Sequence, residues 1–132
     1  RPMAVVSFDL DRFKSVNDRF GHHTGDEALR RIAANCMRHL RTGDVMGRVG
    51  GEEFAVVMPG ATLWVAQEVA GRLRAAVADN PLDHPHGPIQ LSISVGVTQH
   101  RVWEEAIADS ITRADEAMYA AKAAGRNRVV AV

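Results

Sequence analysis

The sequence predicts an α+β fold of the ferredoxin-like kind, a βαββαβ core within the broad α/β class, with a mostly antiparallel sheet flanked by helices. Three observations carry that prediction. Apolar runs of strand length alternate with apolar residues at helical spacing along the chain. Two adjacent glycines, Gly50 and Gly51, join two short apolar runs, Val45 to Val49 and Ala55 to Met58, as a tight hairpin whose primed turn needs positive φ. The 132 residues, 46% hydrophobic and 24% charged, suffice for one domain around one core.

Each element follows in order. Met3 to Phe8 reads as a buried strand that runs into Asp9, Leu10 and Asp11, and alternation places the two aspartates on the same side at its end. Asp11 precedes the helical spacing Phe13, Val16, Phe20 and is predicted to be that helix's N-cap, whereas Asp9 has no such local duty. Gly21 ends the helix, and Thr24 with Glu27 is expected to form a capping box for the next. Leu29, Ile32, Ala33, Cys36, Met37 and Leu40 then make one face that packs on a sheet, and Arg41 to Asp44 form the turn out of it. After the hairpin, Pro59 and Gly60 end a strand, and Ala66, Val69, Ala70, Leu73 and Val77 mark a long amphipathic helix.

Asn80 to Pro88 holds three prolines, two histidines and a glycine, the composition of a surface loop. His84 and His86 lack a partner cluster at ligand spacing, so zinc is not expected there. Ile89, Leu91, Ile93, Val95 and Val97 alternate with Gln90, Ser92, Ser94 and Gly96, a strand with one buried face. Ile107, Ile111, Ala114, Met118 and Ala121 form a last helix that Gly125 ends, and Val129 to Val132 closes the sheet.

Charge and composition exclude several classes. Sixteen basic and sixteen acidic residues cancel, which disfavours a duplex-binding module with a basic stripe and leaves a small phosphorylated ligand open. No apolar run approaches a membrane span or a signal-peptide core, so a cytoplasmic setting without membrane contact is the expectation. The lone cysteine, Cys36, sits on a helix's apolar face and reads as a buried structural thiol.

The predicted topology has a chemical consequence. In the split βαβ arrangement the first and second strands run parallel with the third between them, so the third is antiparallel to the first. The end of the first strand, with Asp9, must then lie beside the hairpin turn with Glu52 and Glu53. A glutamate pair at a turn is ordinarily solvated surface. Three carboxylates converging at one sheet edge are instead how an oxygen-ligand site for Mg²⁺ is built.

The motifs FDLDRFKSVNDRFGHHTGDEAL at Phe8 to Leu29, RVGGEEF at Arg48 to Phe54, SISVGV at Ser92 to Val97 and ADEAMYAAKAAGRNRV at Ala114 to Val129 resemble the GGDEF domain family, the diguanylate cyclases, in its GGEEF variant. The resemblance covers nearly the whole chain. It implies a sheet related to nucleotide cyclases and polymerase palms, and condensation of two GTP into cyclic di-GMP with release of pyrophosphate. It also implies two divalent cations per active site, Mg²⁺ or Mn²⁺.

By the same resemblance, Asp9, the Leu10 carbonyl and Glu52 match the metal ligands, Glu52 the group that helps deprotonate the attacking 3′-hydroxyl, and Glu53 a supporting acid or second metal ligand. Asn17 and Asp26 match the guanine readers, a role for which an amide and a carboxylate offer the right acceptors and donors. His22 lies close by, where a turn histidine serves structure as readily as binding. Lys14, Lys122 and Arg126 match triphosphate contacts, although the last two also suit a cationic helix C-terminus. Arg41 and Asp44 form RxxD with five residues between Asp44 and Gly50, matching the family's inhibitory product site. Family members normally start with a helix and a DxLTxLxNR segment before the first strand. The resemblance therefore implies a single catalytic domain, residues 1–132, without that segment or an upstream sensory domain.

Expected partners are GTP, cyclic di-GMP as product and inhibitor, and a second copy in a transient homodimer, since one carboxylate edge offers one nucleotide pocket and the product needs two. Two other readings compete. A GGDEF module that binds cyclic di-GMP or GTP without turnover would not need the metal carboxylates. A polymerase-like nucleic-acid enzyme would need a basic track that the chain lacks.

Overall fold

The computed structural model describes residues 1–132. In chain order the elements are β1 (Met3–Leu10), α1 (Phe13–Phe20), α2 (His22–Met37), β2 (Val45–Gly50), β3 (Glu53–Pro59), α3 (Leu63–Ala78), β4 (Ile93–Gln99), α4 (Ile107–Ala123) and β5 (Arg128–Ala131). The five strands form one sheet in the order β2-β3-β1-β4-β5, antiparallel throughout except for the parallel β4–β5 pair. This is the predicted mostly antiparallel α+β architecture, and its register pairs Asp9 with Glu53 across β1 and β3.

The two faces of the sheet differ in chemistry because β1 and β4 alternate. One face carries Val6, Phe8, Leu10, Phe54, Val56, Met58, Ile93, Val95 and Val97, which share a single core with the apolar residues of α2 and α3. Phe8 stacks on Phe54 with ring centroids 5.3 Å apart, worth about 0.5–1.5 kcal/mol beyond area burial. The other face carries Ser7, Asp9, Gly96 and Thr98 and is covered by α4. Gly96 is required there, because a Cβ would lie 2.0 Å from the Ala114 carbonyl oxygen and 2.3 Å from the Met118 nitrogen.

Several local expectations are corrected. The N-cap of α1 is Arg12, in the left-handed region at φ 57° and with no side-chain cap bond, because Asp11 turns inward to other partners. Helix α2 starts directly at His22 with Gly21 as N-cap at φ 92°, so Thr24 lies inside the first turn and forms no capping box. Met37 is 60% exposed, although Leu29, Ile32 and Cys36 of the same helix are buried in one core with the sheet's apolar face, as the helical spacing predicts. Strand β4 begins at Ile93, while Ile89 makes an isolated bridge to Leu82. Both faces of β4 are buried, since α3 covers one and α4 the other. The polar residues among them are satisfied: Ser94 donates to Asp11, and Thr98 donates to the Val132 carbonyl.

The hairpin between β2 and β3 also departs from its sequence signature. Neither Gly50 nor Gly51 has positive φ, and the turn contains an irregularity between Arg48 and Gly50. Arg48 Nε donates to the Gly51 carbonyl at 2.6 Å and holds the turn closed. Glu53 is the first residue of β3 rather than part of the tip. Cys36 is fully buried, as expected, and burial pushes its thiol up to about 12. No helix is long and apolar enough to cross a membrane.

Candidate active site

The carboxylate end of the sheet is built by three elements. β1 delivers Asp9, the β2–β3 turn delivers Glu52, and β3 delivers Glu53. Together with Val49, Gly50, Gly51 and Tyr119 they line an open cleft of about 240 Å³. That is less than the 300 Å³ or more, roughly, of a pocket enclosing a whole drug-sized ligand, so it suits the charged end of a ligand rather than a complete nucleotide.

The electrostatics of the cleft are those of crowded negative charge. Burial pushes the Asp9 carboxyl up, opposed by Lys122 and reinforced by Glu52 and Asp11. Burial likewise pushes Glu53 up to about 7, helped by its hydrogen bond to Asp115 and by the charges of Asp115, Asp9 and Glu52. The Tyr119 phenol is raised by burial and by Glu53, Asp9 and Asp115, and so stays a hydrogen-bond donor. Lys122 Nζ stands 2.6 Å from Asp9 Oδ1, a close ion pair that opposes the effect of burial on that carboxylate. Three carboxylates converging on one open cleft, a purely oxygen donor set, fit a divalent cation. The side chains are not already closed around one point as a ready cluster of three ligating groups. Leu10 contributes only backbone here, because its side chain is in the core.

Nothing inside the chain demands glycine at positions 50 and 51. A Cβ on either would meet nothing within 4 Å, and neither φ is positive. The open backbone is what an approaching anionic ligand needs.

The base-reading candidates gather elsewhere, at the α1–α2 junction. Asn17 Oδ1 is buried with no partner and lies where a Cβ on Gly25 would come within 1.8 Å, so Gly25 is what admits it. His22 and Asp26 are exposed on the first turns of α2. None of the three lines the carboxylate cleft. Lys14 is exposed and pairs with Asp18 at 3.5 Å, a surface contact worth at most about 0.5 kcal/mol. Arg126 follows α4 with its Nε buried and unpartnered. Arg41 and Asp44 bind each other: Arg41 Nη2 donates to Asp44 Oδ1 and to the Pro59 carbonyl, both at 3.0 Å, and the Arg41 backbone N–H donates to Asp44 Oδ2 at 2.8 Å.

Two residues at the site, Asp115 and Tyr119, were missing from the sequence reading. Asp115 accepts a short hydrogen bond from Ser7 Oγ and faces Glu53, while Tyr119 lines the cleft. Asp115, Tyr119 and Lys122 are spaced i, i+4, i+7 on α4, a polar stripe that could have been noticed.

Comparison with known proteins follows from this geometry. The family model described as "Diguanylate cyclase, GGDEF domain" matches residues 1–128. The chain is 40% identical over 131 residues to the response regulator PleD of Caulobacter vibrioides, covering 98% of this chain and 29% of PleD. Its structure is similar to the active GGEEF domain of a diguanylate cyclase from Vibrio cholerae, with a TM-score of 0.92, 34% identity, and 99% and 83% of the two chains covered. It is equally similar to the GGDEF domain of DgcB from Caulobacter crescentus in complex with c-di-GMP, at a TM-score of 0.92 and 32% identity over 98% and 77% of the chains. The chain spans less than a third of PleD's length. With the family model matching residues 1–128 of this chain and a relative 40% identical across 98% of it, the chain belongs to the diguanylate cyclase GGDEF-domain family.

Proposed function

We propose that this domain is a diguanylate cyclase that joins two GTP molecules into cyclic di-GMP and releases two pyrophosphates. The observation that carries the reading is the meeting of Asp9, Glu52 and Glu53 at one sheet end, with Asp9 buried and held against Lys122. In each half of the reaction a 3′-hydroxyl oxygen attacks the α-phosphorus of the other nucleotide, the bond from that phosphorus to pyrophosphate breaks, and the hydroxyl proton departs.

Asp9, the Leu10 carbonyl, Glu52 and Glu53 would hold the two Mg²⁺ or Mn²⁺ ions. When bound, such ions lower the hydroxyl pKa and neutralise charge on the α-phosphate and the leaving group. Glu52 helps take the hydroxyl proton. Gly50 and Gly51 let the phosphates come against bare backbone, and Lys14, Lys122 and Arg126 supply positive charge along the triphosphate. For Lys122 this means exchanging its contact with Asp9 for one with phosphate. Asn17 and Asp26 read guanine at the α1–α2 junction, with His22 beside them, and the unpartnered Asn17 Oδ1 is the acceptor that a base can satisfy.

Arg41 and Asp44 form the inhibitory product site. Their mutual ion pair keeps both groups in place until a guanine edge displaces it. Turnover needs two pockets facing each other, which a transient two-fold homodimer provides, each copy bringing one GTP. The test is incubation with GTP and Mg²⁺ and identification of the product. Cyclic di-GMP with two pyrophosphates supports the reading. Bound but unreacted GTP supports instead a non-catalytic module, in which the Lys122–Asp9 contact persists.

A further inference from the structure

We infer that Asp11 is a positioning residue that fixes the conformation from which Arg126 reaches the triphosphate. The inference rests on the proposed phosphate role of Arg126. Asp11 does not cap α1, although it stands where a cap belongs. Its carboxylate is 6% exposed and is turned into the fold, where Oδ1 accepts from Ser94 Oγ at 2.6 Å. Oδ2 accepts from Ser92 Oγ at 2.7 Å and from the backbone N–H of Asn127 at 3.0 Å. A buried carboxylate with donors from three places is a deliberate anchor point, because an unmatched one would be costly to bury.

What it anchors is strained. Gly125, Arg126 and Asn127 all have positive φ, at 128°, 66° and 48°, and two of them carry side chains that disfavour that region. Such a run persists only if its surroundings over-determine it. The Asp11 bond to the Asn127 N–H is one constraint, the Arg126 N–H on the Ala121 carbonyl at 3.0 Å a second, and Arg74 Nη1 on Asn127 Oδ1 at 3.0 Å a third. Of these three, the Asp11 bond is the one that ties the run to the sheet end that bears Asp9, next to the Ser94–Arg128 pairing that opens β5.

The strain has a visible return. Arg126 is half-buried and its Nε has no partner, a donor that the chain itself leaves unmet. A guanidinium held with an unsatisfied buried N–H is set for an anionic ligand rather than for stability. Asp11 therefore does more than join β1 to β4: through Asn127 it fixes the backbone on which that guanidinium is mounted.

The test is a double-mutant cycle on nucleotide binding, with 3′-deoxy-GTP as the probe because it lacks the attacking hydroxyl, and GMP as the probe without the β- and γ-phosphates. Asp11→Ala and Arg126→Ala are each expected to weaken 3′-deoxy-GTP binding about tenfold and GMP hardly at all, and the double variant is expected to be no weaker than Arg126→Ala alone. Amide exchange of the Asn127 N–H should accelerate in Asp11→Ala. Should that variant fail to fold, Ser94→Ala, which frees one oxygen of the carboxylate, is expected to give a smaller loss with the same non-additivity. Asp11→Asn keeps an acceptor for Asn127 and should bind within about twofold of the unaltered protein. Losses that add in the double variant, or that fall equally on GMP, overturn the positioning role while leaving the phosphate role of Arg126 intact. Unaltered 3′-deoxy-GTP binding by Arg126→Ala removes that phosphate role, and the inference with it.

Discussion

Replacing Gly96 by alanine tests how α4 is seated on the sheet. The added Cβ would lie 2.0 Å from the Ala114 carbonyl oxygen, 2.3 Å from the Met118 nitrogen and 2.9 Å from the Ala117 carbonyl carbon, all of them helix backbone. Ordinary contact begins at 3.4 Å, so helix and strand must separate by about 1.4 Å at that point. No side chain can rotate away to relieve the clash. Overpacking against rigid backbone costs about 3 kcal/mol, at the upper end of the usual range, which for a domain of this size lowers the melting temperature by about 10 °C. The displacement also reaches the site, because α4 carries Asp115, Tyr119 and Lys122, and the 2.6 Å contact of Lys122 with Asp9 opens. Urea unfolding of Gly96→Ala, read at constant m-value, should show the loss, and GTP turnover should fall in the fraction that stays folded. A destabilisation below about 0.5 kcal/mol would refute the close seating of α4 on β4.

Other substitutions probe the remaining assignments. Glu52→Ala should lower cyclic di-GMP formation at least about 100-fold while stability changes by less than about 0.5 kcal/mol, and a folded variant with full turnover would end the assignment of Glu52. Arg41→Ala should weaken inhibition by cyclic di-GMP about tenfold, and an unchanged inhibition curve would return Arg41 to bracing its own turn and the Pro59 carbonyl. Glu105 is held well below the usual carboxylate range by Arg113 first, and by the Arg101 backbone N–H and Ser110. Its contribution is complete above its unfolded value and is lost as pH falls toward the lower folded one. Stability of the parent over Glu105→Gln should therefore be constant from neutrality down to about pH 4.5 and shrink below it, and a gap that widens in acid would contradict the pairing. Initial rate should rise with about the square of protein concentration when the dimer is scarce. A linear dependence where scattering reports only monomer would require one chain to hold both nucleotides.

The fold was legible because its signals are periodic. Val69, Ala70, Leu73 and Val77 at helical spacing, and strand lengths set by glycine and proline, sufficed for the element order and so for the meeting of Asp9 with Glu53. Local chemistry was misread where tertiary partners outbid it. Asp11 gave up a cap for Ser92, Ser94 and Asn127, which no short-range rule reveals. Alternation in Ile93 to Val97 suggested one wet face, but Ser94 and Gly96 are where α4 descends. Asp115 and Tyr119 were hidden for the same reason: their relation to Glu53 exists only once α4 crosses β1. The candidate base-reading and inhibitory residues had no local signal beyond family spacing.

The glycines of this chain answer to two different kinds of selection. Gly96 is fixed by packing, and any side chain there pushes α4 off the sheet. Gly50 and Gly51 have open space around them and ordinary φ, so folding would tolerate nearly any residue at either position. Their presence is therefore explained by what the turn must admit from outside rather than by the fold. A chain released from that task would lose the pair without cost to its fold, whereas a change at Gly96 would still displace α4.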